Sequence, residues 1–173
     1  MFWRGAAALF AAIMLSGCET ARSGLDYSGM MQKIGPPKPG QSRIVILREK
    51  GFGGLVDGGW QVQVDGQPMS GLKTGTYVYA DRGTGEHQLG ATEGGFPGVT
   101  RLDVATASGR TYFYVARPSA RKNAFTANAG RGVLGLVVTT AITSGYNNPG
   151  PLDFLPLDDA AAKVTIAELR LAE

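Results

Sequence analysis

The middle of the chain alternates short β-branched or aromatic stretches with clusters of turn residues. In the clearest stretch, apolar and polar residues alternate from Trp60 to Val64, so Trp60 and every second residue after it are predicted to face a core. Asp65-Gly66 follows directly and is a preferred pair for a two-residue type I′ hairpin. About seven strands are predicted, at 43–48, 60–64, 67–72, 76–80, 86–93, 99–106 and 111–117. This pattern is typical of a small antiparallel β-sandwich, which we assign to residues 43–118.

Composition favours turn-rich β structure over a helical bundle. The chain has 26 glycines and 9 prolines among 173 residues. This combined share of about one fifth is below the roughly 25–30% of proline and glycine that is typical of disordered chains. Each glycine inside a helix would cost about 1 kcal/mol. One His and one Cys cannot form a disulfide framework or a zinc site of about four ligands. The net charge of +3 is too small for a typical nucleic-acid-binding protein. We therefore predict no metal, no cofactor and no nucleic-acid partner.

The first 17 residues have the organisation of a lipoprotein signal peptide. Arg4 supplies a positive charge, and the apolar run 5–15 is about half as long as the roughly 20 residues of a membrane-spanning helix. The run ends in Leu15-Ser16-Gly17-Cys18, which resembles the bacterial lipobox. That resemblance implies cleavage between Gly17 and Cys18 and acylation of Cys18. The alternatives are a plain secretory signal with a chance cysteine, or an uncleaved short anchor.

Acylation would attach the protein to a membrane of the bacterial envelope. Two or more acyl chains on Cys18 suffice for stable attachment. Glu19 favours the outer membrane, facing the periplasm, because aspartate at this position resembles an inner-membrane retention signal. Residues 18–42 are predicted to be the lipid anchor and a flexible tether, with a short helix near 25–33 as an option. The prolines at its end favour extended polyproline II geometry and would hold the folded part off the membrane.

The chain after the predicted sandwich has two parts. Residues 119–157 form a Gly-rich apolar connection, whose run Gly132–Ile142 either covers the core or contacts a membrane or partner. Asp158 is a plausible N-cap for a helix over 159–171. We assign residues 158–173 to this C-terminal helix and expect its apolar side to pack on the sheet.

Several motifs of the β-rich region occur together with this N-terminus. They are Val64-Asp65-Gly66, Gly71-Leu72-Lys73-Thr74-Gly75-Thr76-Tyr77, Gly85-Glu86-His87-Gln88-Leu89 and Tyr112-Phe113-Tyr114-Val115. In this combination, residues 42–117 resemble the domain-of-unknown-function 2846 family of bacterial lipoproteins, with a looser match at the C-terminal helix. The resemblance implies a small β-sandwich at the cell envelope, and it implies no catalytic residue.

His87 is the only histidine, the residue type that most often serves as a general base. A base needs a substrate or nucleophile within reach and usually an orienting carboxylate, but the adjacent Glu86 points to the opposite face of a strand. We interpret His87 as a turn-flanking residue whose ring bonds the loop 81–85. A catalytic role is the alternative.

Four tyrosines are spaced two residues apart on two predicted strands: Tyr77, Tyr79, Tyr112 and Tyr114. They are a candidate binding face on which sugars or a peptide could stack. The alternative is that they form cross-strand pairs that stabilise the sheet by about 0.2–1 kcal/mol each.

These observations predict a non-enzymatic, lipid-anchored envelope protein that serves as a binding or structural module, with an envelope protein or glycan as a candidate partner. The alternative is an envelope-polymer hydrolase that uses His87, or a glycan- or peptide-binding protein that uses the tyrosine strands.

Overall fold

Two β-sheets and three helices make up residues 24–51, 59–128 and 147–173, the parts of the chain that the computed structural model describes. In chain order, the elements are α1 (Tyr27–Ile34), β1 (Gln41–Arg48), β2 (Gln61–Val64), β3 (Gln67–Pro68), β4 (Thr76–Gly83), β5 (Gly85–Thr92), β6 (Thr100–Thr106), β7 (Thr111–Pro118), α2 (Ala120–Asn128), β8 (Leu152–Leu157), α3 (Asp159–Ile166) and β9 (Arg170–Leu171). Within these ranges, no helix is long and apolar enough to cross a membrane.

The mostly β, sandwich-like architecture is confirmed. One sheet has the strand order β8-β7-β1-β4-β9, and the other has the order β3-β2-β5-β6. Strands β4 and β5 are consecutive but belong to different sheets, as do β6 and β7. Each of these short connections therefore carries the chain from one sheet to the other and does not form a hairpin. The predicted antiparallel sandwich also contains two parallel pairings, since β7 runs parallel to β1 and β9 runs parallel to β4.

Apolar side chains from both sheets meet in a central core. The alternation from Trp60 to Val64 is confirmed, since Trp60, Val62 and Val64 are 4%, 1% and 0% exposed. They pack against the inner face of the opposite sheet, which includes Ile44 and Ile46 of β1. The inter-sheet core is thus built by the period-two pattern that the sequence displays.

The predicted hairpin at Asp65-Gly66 is also confirmed. Asp65 and Gly66 have φ angles of 53° and 74°, the left-handed conformation that a type I′ turn requires at both positions. The return strand is shorter than the predicted 67–72, because regular pairing is limited to Gln67–Pro68. Beyond Pro68, the contact with β2 consists of the Met69 N–H, which donates to Val62 O, and an isolated bridge between Trp60 and Leu72.

A layer of two helices covers the outer face of the five-stranded sheet. Met30 of α1 and Ile166 of α3 are buried there, together with Val45 and Leu47 of β1. The predicted tether over 18–42 is therefore too long. Helix α1 is part of the fold because burying its apolar side on the sheet is favourable, and the Asp26 side chain caps it by accepting a hydrogen bond from Gly29 N at 2.7 Å.

The predicted C-terminal helix begins as expected and ends early. Asp158 is the N-cap, and its side chain accepts a hydrogen bond from Ala161 N at 2.8 Å. The helix stops at Ile166 instead of continuing to Leu171. Leu171 lies in β9, where its N–H donates to Leu25 O, and the next N–H donates to Tyr77 O. Sheet-edge hydrogen bonds thus replace the last turns of the expected helix over 158–173.

The β-sheet also extends beyond the assigned boundary at residue 118. Residues 119–157 are not only a connection, because they contain α2 and β8. Strand β8 pairs antiparallel with β7, and Leu152 and Phe154 enter the central core. The apolar run Gly132–Ile142 lies outside the described residues.

Candidate functional site

His87 lies at one end of the sandwich, where a hairpin of one sheet meets a chain crossing to the other. It lies two residues before the buried Leu89 on β5, so both side chains point to the core-facing side of the strand. The His87 side chain is 10% exposed. Its Nδ1 is 2.7 Å from Asp65 Oδ2, at the tip of the β2–β3 hairpin. Its Nε2 is 2.7 Å from Gly83 O, at the end of β4. The ring thus joins elements that belong to two different sheets.

Asp65 is held as a carboxylate by the groups around it. Its Oδ1 accepts a hydrogen bond from Gln88 N at 2.8 Å, and Arg82 Nε lies 4.0 Å from Oδ2. Burial raises the pKa of Asp65, but the Gln88 N–H and the His87 ring outweigh it, so the net pKa is below the usual aspartate value. A negative charge therefore faces Nδ1 of His87.

Both nitrogens of His87 face hydrogen-bond acceptors. An imidazolium can donate to the carboxylate and the carbonyl together, whereas a neutral ring would place one lone pair against an oxygen. A general base needs that lone pair to face a substrate proton. Here the Gly83 carbonyl occupies the position next to Nε2. The arrangement is suited to cross-linking the hairpin and the chain crossing, and our interpretation of a ring bonded to the loop 81–85 is confirmed.

The four tyrosines do not form one surface. Val45 of β1 is the register partner of Tyr79 on one side and of Phe113 on the other, so Tyr77 and Tyr79 share the helix-covered face. Tyr112 and Tyr114 alternate with Phe113 and face the space between the sheets. The prediction of a single stacking platform made of all four is therefore wrong. The tyrosines of β4 point to the helix-covered face of the sheet, whereas those of β7 point to the other face.

Individual tyrosines have structural contacts. Tyr77 is 0% exposed, and its hydroxyl lies 3.2 Å from Leu25 O and 3.1 Å from Asp26 O. Burial raises the pKa of Tyr77 far above the ordinary tyrosine value. Tyr114 is buried in the central core, and burial raises its pKa too. The Tyr112 hydroxyl accepts a hydrogen bond from Ala107 N at 2.9 Å.

A partly buried ion pair joins β1 to β4, and its arginine also contacts the helix layer. Arg43 is 1% exposed, and its Nε and Nη2 donate to the two carboxylate oxygens of Asp81 at 2.7 and 2.8 Å. Its Nη1 donates to Gly35 O, just after α1, at 2.7 Å, and the guanidinium lies 5.2 Å from the centre of the Tyr79 ring. The hydrogen bonds to Asp81 raise the pKa of Arg43 against the opposing effect of burial.

Sequence reasoning missed both acidic partners. Alternation within 43–48 places Arg43 on the same face as Val45, which is a usable signal, but nothing local identifies Asp81 as its partner. The Asp65-Gly66 pattern predicts only a turn. The sequence could not predict that this turn would meet His87, because the contact depends on β2 pairing with β5, which lies about 20 residues further along the chain.

Open grooves flank the sandwich. One, of about 410 Å³, lies between β4 and the chain after β3 and is lined by Tyr79, Arg82 and Met69. Another, of about 460 Å³, lies between α1 and α3. No group of three or more His, Cys, Asp or Glu side chains suited to a metal ion occurs in the described part of the chain.

Gly17 and Cys18, the predicted cleavage and acylation positions, lie outside the described residues. No protein-family model matches the chain, and no curated protein matches its sequence. The similarity of residues 42–117 to the domain-of-unknown-function 2846 family therefore stays a prediction.

Proposed function

We propose that this protein is a lipid-anchored component of the bacterial envelope, facing the periplasm from the outer membrane, and that it is a non-enzymatic structural or binding module. The proposal depends chiefly on one observation: Leu15-Ser16-Gly17-Cys18 directly follows an apolar run too short to span a bilayer. Cys18 is also the only cysteine, so the only thiol of the chain stands at the position where the lipobox requires one.

The location of the folded part is compatible with such an anchor. Gly24, six positions after Cys18, packs against β9, and the Leu25 carbonyl accepts a hydrogen bond from the Leu171 N–H at the sheet edge. A β-sandwich with a helix layer thus follows the acylation position almost directly.

The proposed non-enzymatic role is supported by the contacts of the candidate residues. The two nitrogens of His87 face Asp65 and Gly83 O, and Tyr77 and Tyr114 are buried. In these positions the side chains stabilise the fold, and they leave little of the predicted binding face for a glycan or peptide.

Cys18→Ser is the test of the anchor. We expect the variant to lose incorporation of labelled fatty acid and to leave the membrane fraction, whereas Ser23→Ala, outside the lipobox, retains both. Continued labelling and membrane association of Cys18→Ser would refute the proposal.

A hydrolase would draw on the His87–Asp65 pair, and it can be tested separately. His87→Gln and Asp65→Asn are expected to leave the turnover of labelled envelope polymer unchanged from the background level. If the wild type releases polymer fragments and both folded variants do not, the protein is an enzyme and the non-enzymatic role is wrong.

A further inference from the structure

The exposed large hydrophobic residues of the described chain lie on one side of the sandwich. They are Leu25, Leu155 and Val164, which are 40%, 42% and 76% exposed. Val164 lies on α3 midway between Ala162 and Ile166, whose side chains are buried on the sheet, so it projects away from the sheet.

Leu155 and Leu25 belong to the same side. Leu155 is the register partner of Val115, which in turn pairs with Leu47 on the helix-covered face of the five-stranded sheet. Leu25 directly precedes the cap of α1, and its carbonyl lies against the Tyr77 hydroxyl on that face. We call this side, formed by α1, α3 and these three residues, the helix side.

Among the described residues, the outer face of the four-stranded sheet is polar. The outer face of the four-stranded sheet alternates with the core-facing residues of β2, β5 and β6. It carries Gln61, Gln63, Gln88, Thr92, Arg101 and Asp103. The two outer surfaces of the sandwich therefore differ in chemistry.

The chain before Gly24 limits how far the helix side can stand from an anchor at Cys18. The six peptide steps between them span at most about 20 Å when fully extended. Gly24 itself packs against β9, since a Cβ added there would lie 1.8 Å from Leu171 O. The anchor is thus attached at the edge of the sheet, beside α1.

We propose that the helix side rests on the lipid surface and that the polar face of the four-stranded sheet points into the periplasm. This inference assumes the proposed acylation of Cys18. The groove of about 460 Å³ between α1 and α3 adds apolar surface from Tyr27, Met31 and Ile166, and it also carries one acidic and one basic side chain, Asp26 and Lys163. Burial of apolar side chains is the usual means by which an amphipathic helix lies in a membrane interface.

A spin label at a single introduced cysteine tests this orientation. The sulfur of acylated Cys18 is a thioether, so Val164→Cys carries the only free thiol. Gln88→Cys, on the polar face, is the matched control. The full lipidated protein is placed in vesicles of phosphatidylethanolamine and phosphatidylglycerol, and collision of each label with oxygen and with a water-soluble nickel chelate is measured.

We expect the label at position 164 to collide severalfold less often with the nickel chelate, and more often with oxygen, than the label at position 88. The difference should vanish in the same variants carrying Cys18→Ser in solution. Equal accessibility of the two labels in vesicle-bound protein would overturn the orientation. So would protection of position 164 in cells but not in vesicles, which would indicate a protein partner. Failure of the protein to bind vesicles would instead refute the proposed anchor.

Discussion

Replacing Asp81 with asparagine removes the charge that the Arg43 guanidinium faces while keeping the size of the side chain. The two hydrogen bonds from Arg43, at 2.7 and 2.8 Å, use both carboxylate oxygens. An amide offers one oxygen and turns an N–H donor toward the other guanidinium N–H. The contact between Arg43 Nη1 and Gly35 O survives the change.

The expected loss follows from the burial of the two partners. Removing one partner of a buried ion pair costs about 3–5 kcal/mol, because the other charge stays buried and unpaired. Arg43 is 1% exposed, but the Asp81 side chain is 30% exposed. Water screens the pair in part, so we expect the lower limit, about 3 kcal/mol of the free energy of unfolding. For a chain of this size, that corresponds to a decrease in Tm of roughly 6–12 °C.

Urea and thermal unfolding of a Cys18→Ser chain measure this loss, and a second variant makes the test sharper. Arg43→Met leaves behind the carboxylate of Asp81, which water can reach, so it should cost less than Asp81→Asn. The double variant Arg43→Met, Asp81→Leu should recover most of the loss, because apolar residues can replace a buried pair with little cost. The reasoning is refuted if Arg43→Met costs as much as Asp81→Asn, or if Asp81→Asn costs less than about 1 kcal/mol, the range of an exposed pair.

Two further predictions concern a close approach of the backbone and the response to acid. A Cβ at position 150 would lie 2.0 Å from Thr100 N, so Gly150→Ala should lower the free energy of unfolding by about 1–3 kcal/mol in urea titrations. Gly94→Ala, which meets nothing within 4 Å, should change little, and equal effects would contradict the packing argument. The pKa of Asp65 is lowered in the fold, so its contribution is present above the unfolded value of about 3.9 and is lost as pH falls through the folded value. The stability difference between wild type and Asp65→Asn should therefore shrink in acid, and a difference that stays constant from neutral pH to about pH 3 would refute this.

The local parts of the fold could be predicted because their causes are local. Alternation from Trp60 to Val64 places successive side chains on the two faces of a strand. The type I′ turn depends on the φ angles of only two adjacent residues, Asp65 and Gly66. Sheet membership depends on contacts between distant segments. Strands β6 and β7 are separated by a turn as short as that of a hairpin, yet β7 pairs with β1, which lies far earlier in the chain.

The same distinction explains the candidate site. His87 and Gly83 are four residues apart, so a bond between the ring and this loop could be predicted from spacing. Asp65 is 22 residues from His87, and Asp81 is 38 from Arg43. Both contacts depend on the pairing of strands that are distant in the chain, since Arg43 and Asp81 are register partners on β1 and β4, and β2 pairs with β5 beside Asp65 and His87. No local signal identifies Asp65 as the partner of His87 or Asp81 as the partner of Arg43.

The packing of α1 also changes what an anchor at Cys18 would do. A flexible tether over 18–42 has 24 peptide steps and could place the sandwich as far as about 80 Å from the membrane. With α1 packed on the sheet, Gly24 already contacts the fold, and the six peptide steps from Cys18 to Gly24 span at most about 20 Å. Met30 in the helix-layer core and the bond from Arg43 to Gly35 O hold α1 in place. The short reach of the proposed anchor is thus a consequence of tertiary packing, since the amino-acid composition of residues 18–42 alone would allow a much longer one.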